Sequence, residues 1–312
     1  MPVYNGERYI EETLRSLLAQ DFKDFELIIT DNASTDRTEE ICRQFAAREP
    51  RIRYVRNERN LGAAANYNLG LSLATGEYFK WCAHDDLLSP NCIGALVNAL
   101  DQDPGAIAAF PRTQCIDETG AAIPMVGEQL PDGRGLSPAQ RFMRGIHQGG
   151  TMFEIFGLYR RDILRKTMLH LPYYGSDRAL LAEIAILGEF VRVPTATFFN
   201  REHRTRSINI NDKLARARWQ GASASKARAM EHCNLLTHLF AISGRHASIV
   251  SPISLRLHLV HFATRPMQMG RYAVELLGLI APGGPTQVRN TAKKLASAMG
   301  LSNRSTGRDF GQ

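Results

Sequence analysis

Glu77-Tyr78-Phe79-Lys80-Trp81-Cys82-Ala83-His84-Asp85-Asp86 is the stretch on which the reading of this chain turns. Its first six residues are mostly aromatic and apolar, and Gly76 precedes them. That is the pattern of a buried strand entered from a turn. Behind it stand a histidine and two adjacent carboxylates, closed by Leu87-Leu88-Ser89-Pro90. Carboxylates at the end of a buried strand are costly unless positive charge meets them. In open α/β sheets the carboxyl ends of strands are where ligands bind. A hard divalent cation holding substrate phosphates would supply the charge, since Mg²⁺ uses one or two carboxylates together with phosphate oxygens. Taken alone, the pair reads equally as solvated turn acids or as a cap for a helix starting near Pro90.

Upstream, strands alternate with helices. Glu7–Gln20 is an amphipathic helix, with Ile10, Leu14, Leu17 and Leu18 on one face. Phe25–Thr30 is a buried strand ending at Asp31-Asn32-Ala33-Ser34-Thr35-Asp36, and Asp36 with Glu39 has capping-box spacing for the next helix. Ile52–Val55 is a short strand, and Asn60-Leu61-Gly62 opens an alanine-rich helix to Ala74. Downstream lie a helix over Pro90–Leu100 and strands over Ala106–Arg112, Phe153–Tyr159 and Phe190–Phe199, the last broken by Pro194. Asp177–Leu187 is a helix entered from Gly175-Ser176, where Ser176 can cap and the dipole favours an ionised Asp177. Residues 119–138, rich in glycine and proline, read as a lid or a disordered loop. This alternation predicts an α/β protein with a doubly wound, mainly parallel sheet, its strand ends at Asp31 and Asp85 facing one crevice.

Composition divides the chain. Residues 1–200 hold 21 basic and 26 acidic residues, while 201–312 hold 17 and 5. The body is mildly acidic and the last third is a basic extension, which favours anionic surfaces. Five scattered cysteines without a C-x-x-C pair argue against a disulfide framework or a zinc site and suit a reducing cytoplasm. No apolar run approaches about 18 residues, and the start has no signal-peptide pattern. The tail lacks the aromatic interleaving or helix-turn-helix pattern of a nucleic-acid binder.

Together, Pro2-Val3-Tyr4-Asn5, Asp31-Asn32-Ala33-Ser34-Thr35-Asp36, Arg59-Asn60-Leu61-Gly62, Ala83-His84-Asp85-Asp86 and Ser176-Asp177 resemble the family 2 glycosyltransferases of the GT-A fold, in family order. The resemblance covers residues 2–205 and implies a catalytic domain over 1–205 with a helical extension over 206–312. It implies an inverting, single-sugar transfer from a nucleotide diphosphate-sugar to a glycan or lipid-linked acceptor, in cell-surface polysaccharide or glycolipid assembly. Pro2, Tyr4 and Asn5 would lie against the nucleotide, Asp31 would bind its base or ribose, and Asn60 and Gly62 would shape the adjoining loop. Asp85, helped by Asp86, would hold Mg²⁺ or Mn²⁺ on the diphosphate, although Ala83 stands where the family's first metal-binding Asp is found. Asp177 would be the catalytic base. His203, with Arg204 or Arg206, would close over the phosphates. The family's first apolar strand is expected upstream of Met1, so this chain reads as one whose first strand is missing. With that strand and the acid at Ala83 absent, a catalytically inactive nucleotide-sugar-binding scaffold is the alternative.

The tail reads as helices over Asp212–Ile242, Ser254–Leu279 and Gln287–Met299. Its apolar stretches, punctuated by Arg245, Arg256, Arg265 and Arg271, suit either packing on the body or lying on an anionic bilayer at the inner face of the cell membrane. Arg218-Trp219-Gln220 is not the Gln-x-x-Arg-Trp of the processive relatives.

Overall fold

A computed structural model describes residues 1–125, 133–147, 152–223 and 225–280. The chain opens with β1 (Pro2–Val3), α1 (Ile10–Leu18), β2 (Leu27–Asp31), α2 (Thr38–Ala46), β3 (Ile52–Arg56), α3 (Ala63–Leu73) and β4 (Tyr78–Lys80). Next come β5 (Leu87–Leu88), α4 (Cys92–Gln102), β6 (Ala106–Ile116) and β7 (Ala122–Ile123). They are followed by α5 (Pro138–His147), β8 (Leu158–Arg160), α6 (Arg161–Leu164), α7 (Ser176–Leu187) and β9 (Glu189–Arg201). The tail forms α8 (Lys213–Gly221), α9 (Glu231–Arg245), α10 (Pro252–Ala263) and α11 (Pro266–Ile280).

The alternation upstream of residue 77 builds a parallel layer, β1-β2-β3. Its first strand, expected to be missing, is present as two residues. Pro2 and Val3 pair with Thr30 and Asp31, and the Met1 ammonium donates to the Ile28 carbonyl at 2.6 Å. The second sheet, in order β4-β8-β6-β9-β5, is mixed. β6 and β9 run parallel, but β8 meets both β4 and β6 antiparallel. A parallel neighbour needs a crossover connection. β8 is instead entered directly from a 3₁₀ turn at Phe153–Phe156, so only the end of the strand expected over Phe153–Tyr159 pairs. β9 continues past Pro194, but the register jumps there: Pro111 faces Val193 and Arg112 faces Thr197. Proline has no N–H to give the ladder, and the strand bulges around it.

In α1, Ile10, Leu14 and Leu17 are buried in a core that also takes in Leu96 and Leu100 of α4. A second core surrounds Trp81 with Tyr159, Leu180 and Ile184. A third joins α5 and α7 of the body to the tail, packing Phe142, Ala182 and Ile186 on Leu239, Ile242, Leu255 and Leu259. The tail thus sits on α7, the helix that carries Asp177.

Each of the first two tail helices expected from sequence is two. Ala222 takes a left-handed φ of 57° after α8, and α11 begins at Pro266, three residues past the end of α10. Glu275 of α11 is buried and accepts from the Lys213 ammonium and from the backbone N–H groups of His232 and Cys233. It satisfies free donors at the start of α9 and ties three helices together. Of the glycine-rich segment, residues 126–132 lie outside the described residues, as does Gln287–Met299.

Candidate functional site

The cleft begins where β2 ends. Asp31 is fully buried and accepts from the Tyr54 hydroxyl, from Arg56 Nη1 at 2.9 Å and from the Ser34 N–H at 2.8 Å. It therefore braces the turn from behind. Asn32, its neighbour, accepts from Asn57 and from the Leu61 N–H and donates to Asn60 at 2.8 Å. Asn57 also donates to Asn66 of α3. This carboxamide network ties three loops together beneath the cleft. Asn5, at φ 53°, accepts from the Thr35 N–H, which leaves Tyr4 half exposed at the rim.

After β4 the chain turns through His84-Asp85-Asp86 against the end of β9. Asp86 is buried and accepts from Asn200 at 3.1 Å and from the Arg201 N–H at 2.8 Å. Burial, then the charge of Asp85, push its pKa well above the usual carboxylate range. Asp85 moves the other way. Burial opposes its ionisation, but His84, His203 and Arg206 outweigh that and hold its pKa low. Asp85 Oδ2 lies 2.8 Å from His203 Nε2, whose Nδ1 meets Thr205 Oγ1 at 2.9 Å. Arg206 donates to Asn200, so Asn200 links Asp86 to that guanidinium. Arg201, almost fully buried, donates to the Asp85 carbonyl and to Glu12, and so anchors this turn.

These segments enclose a cleft of about 780 Å³, whose wall is completed by Tyr67 of α3 and by Arg218 and Trp219 of α8. A second cavity of about 390 Å³ adjoins it, and Ala63, Tyr67, Phe156, Ser207 and Trp219 line both. Asp177 opens into this second cavity, beside His170, Tyr174 and His232. Burial raises its pKa despite the Arg178 N–H donated to it and its place at a helix start. The sequence expectation that the dipole would favour the charged form is thus overridden by desolvation. Ser176 does not cap α7; its hydroxyl accepts from Gln220 and holds α8 against α7. Burial raises the pKa of Tyr67 too, followed by the charges of Asp85, Asp86 and Asp177. One phenol therefore stands within the fields of all three acids.

A family profile described as Glycosyl transferase family 2 matches residues 1–167. The chain belongs to that family. A glycosyltransferase of Haemophilus influenzae is 27% identical over 217 residues, covering 66% of this chain and 65% of that protein. The pneumococcal glycosyltransferase GlyG is 34% identical over 102 residues, covering 33% of this chain and 34% of its own. The chain thus spans less than two thirds of the length of these relatives. Among solved structures, Staphylococcus aureus TarS with UDP-GlcNAc superposes with a TM-score of 0.57 at 18% identity, over 89% of this chain and 78% of its own. The Pyrobaculum calidifontis mannosyltransferase PcManGT, with GDP-Man and Mn²⁺, gives 0.53 at 20%, over 95% and 78%. The fold is GT-A, with a helical C-terminal region.

The family's expected site residues are mostly brought together. Pro2, Tyr4, Asn5, Asn60, Asp85, Asp86 and His203 line the cleft. Three do not. Asp31 points inward, and Asn32 faces the cleft in its place. Gly62 packs its backbone on the end of α8. Arg204 is exposed away from the cleft wall, whereas Arg206 lines it. Tyr67, Trp219 and Asn66 line the cleft as well, and the Arg218-Trp219 pair is the one signal in the sequence for the second of them. Among the described residues no three His, Cys, Asp or Glu side chains converge as a ready-made metal nest. Asp85 and His203 still fit a cation that takes its other ligands from a diphosphate and water. Asp86, engaged through Oδ1 by β9, is the poorer donor.

Proposed function

We propose that this protein is an inverting, non-processive glycosyltransferase that moves one sugar from a nucleotide diphosphate-sugar to an acceptor hydroxyl. What carries the reading is the placement of Asp85 and Asp177 in adjoining cavities that share the wall of Tyr67 and Trp219. The nucleotide lies along Tyr4, Asn32 and Asn60, with the diphosphate toward Asp85, His203 and Arg206. The acceptor enters beside Asp177. The bound ligands of TarS and PcManGT, UDP-GlcNAc and GDP-Man, support a donor of this class.

Asp177, more basic than an ordinary aspartate, takes the proton of the acceptor hydroxyl. The freed oxygen attacks the anomeric carbon from the face opposite the diphosphate. The bond from that carbon to the phosphate oxygen breaks, and its electron pair leaves with the nucleoside diphosphate. A single displacement inverts the anomeric centre. Asp85 and His203 would hold a divalent cation, Mg²⁺ or Mn²⁺, which would supply charge neutralisation for the diphosphate. Arg206 adds a fixed positive charge to the same wall. Residues 1–205 supply the donor half, and α8 and α9 close the acceptor side. Cell-surface polysaccharide or glycolipid assembly at the cytoplasmic face of the membrane is the setting that this reaction suits.

The test is turnover of a panel of nucleotide diphosphate-sugars with Mn²⁺ or Mg²⁺, wild type against Asp177→Asn. Nucleoside diphosphate release by the wild type, lost in the variant with donor binding retained, is the expected result. Donor binding without turnover in the wild type would refute transfer and leave the scaffold reading.

A further inference from the structure

The tail carries a surface that the cleft chemistry does not use. α10 is apolar on two opposite faces. Leu255, Leu259 and Phe262 are sunk into the core shared with α5, α7 and α9. Ile253, Leu257 and Val260, each two residues earlier and so about 200° round the helix, are 70%, 66% and 51% exposed. An apolar face on a helix is normally covered by another element. α11 extends the apolar surface with Met267 and Met269, 68% and 54% exposed.

The charge around this surface has one sign. Residues 232–274 contain four arginines and no acid. Arg256 and Arg265 are exposed. Glu275, the acid that ends the stretch, is buried and paired with Lys213 and His232, so it adds no negative field outside. A second copy seated here by two-fold symmetry would bring arginines against arginines. Among the described residues no helix is long and apolar enough to cross a membrane.

We propose that α10 and the start of α11 lie on an anionic lipid bilayer. Ile253, Leu257, Val260 and Met267 sink to the acyl boundary, and Arg256 and Arg265 reach the headgroup phosphates with their stems along the apolar surface. The surface brings the protein to acceptors presented by a membrane, but the proposal does not depend on the chemistry of the cleft.

The full chain is sedimented with vesicles of phosphatidylcholine alone or containing about 30 mol% phosphatidylglycerol, at low and high salt. Wild type pellets with the anionic vesicles, less so at high salt, and weakly with the neutral ones. Ile253→Ser/Leu257→Ser lowers the apparent affinity about tenfold or more. Arg256→Glu/Arg265→Glu, which leaves the apolar stripe intact, lowers it on anionic vesicles only. The serine variant keeps the wild-type melting transition, since Ile253 and Leu257 are exposed; Arg256 also donates to Ser243 at 3.3 Å, so the glutamate variant is compared at a temperature where both proteins are folded. Failure of the wild type to pellet with anionic vesicles overturns the proposal. So does equal binding by the serine variant, or a concentration-dependent dimer in ultracentrifugation that this variant abolishes.

Discussion

Replacing Gly62 by alanine tests the contact that sets the geometry of the cleft. Gly62 starts α3 at φ 81° and ψ 160°, a conformation open in practice only to glycine. A Cβ there would stand 2.5 Å from the Ala222 nitrogen, 2.7 Å from the Gly221 carbonyl carbon and 2.8 Å from the Gln220 oxygen. All three are backbone atoms at the end of α8, so no rotamer change relieves them. The conformation costs about 1–3 kcal/mol, and forcing two packed backbones apart adds about 1–3 kcal/mol. Gly62→Ala is expected to lose about 2–6 kcal/mol and to lower Tm by about 4 °C or more. Trp219 sits on the displaced turn, so turnover should fall further than the unfolded fraction explains. Gly70, in the middle of the same helix, has nothing within 4 Å of the position of its missing Cβ. Gly70→Ala should therefore gain about 0.5–1 kcal/mol from helix propensity and a stiffer unfolded chain. Urea and thermal denaturation of the two variants, with turnover at a temperature where both are folded, makes the comparison. A Gly62→Ala protein that melts like wild type, or a Gly70→Ala protein as unstable as Gly62→Ala, would refute the seating of α8 on α3.

Burial raises the Asp177 pKa, so the acid limb of kcat/KM should lie above the ordinary aspartate value of about 3.9; Asp177→Asn should abolish the limb and cut kcat by about 10²–10⁴. Because the folded chain holds that proton more tightly than the unfolded one, this group's contribution to stability grows as pH falls through the raised pKa, which pH-dependent denaturation of the two proteins will show. Glu275 behaves oppositely. Burial disfavours its charge, but His232, Lys213 and two backbone N–H groups prevail and draw its pKa down to about 2. Its stabilisation is complete above the unfolded value of about 4.3 and is lost as pH falls toward the folded one; Glu275→Gln should cost about 2–3 kcal/mol at pH 7 and little in strong acid, by urea denaturation. His203→Ala should raise the Mn²⁺ concentration for half-maximal turnover by about 10–100-fold, with donor binding in chelator changed far less, read by metal titration and by calorimetry.

Much of the site was legible because its parts are local. The apolar run before His84 marks a strand end, and two acids there need a partner whatever surrounds them. The helix entered at Ser176 places Asp177 in a first turn without reference to the rest of the chain. Direction was harder to read. Asp31 and Asn32 are adjacent in a turn, and which of them faces the cleft depends on Tyr54 and Arg56, more than twenty residues away. Arg204 and Arg206 are equivalent in sequence, but Asn200 and Glu202 hold only the second against the cleft.

The sequence by itself determined the alternation of strands and helices from α1 to β4, the strand end that carries Asp85 and the helix that carries Asp177, because periodicity and turn chemistry act over a few residues. Only the tertiary structure decided that β8 runs against its neighbours and that Trp219 of the tail divides two cavities. Only it put Asp85 and Asp177 around one tyrosine. These depend on contacts between residues some ten to over a hundred positions apart, whose energies come from burial and from charges meeting in a shared interior. No local pattern records them.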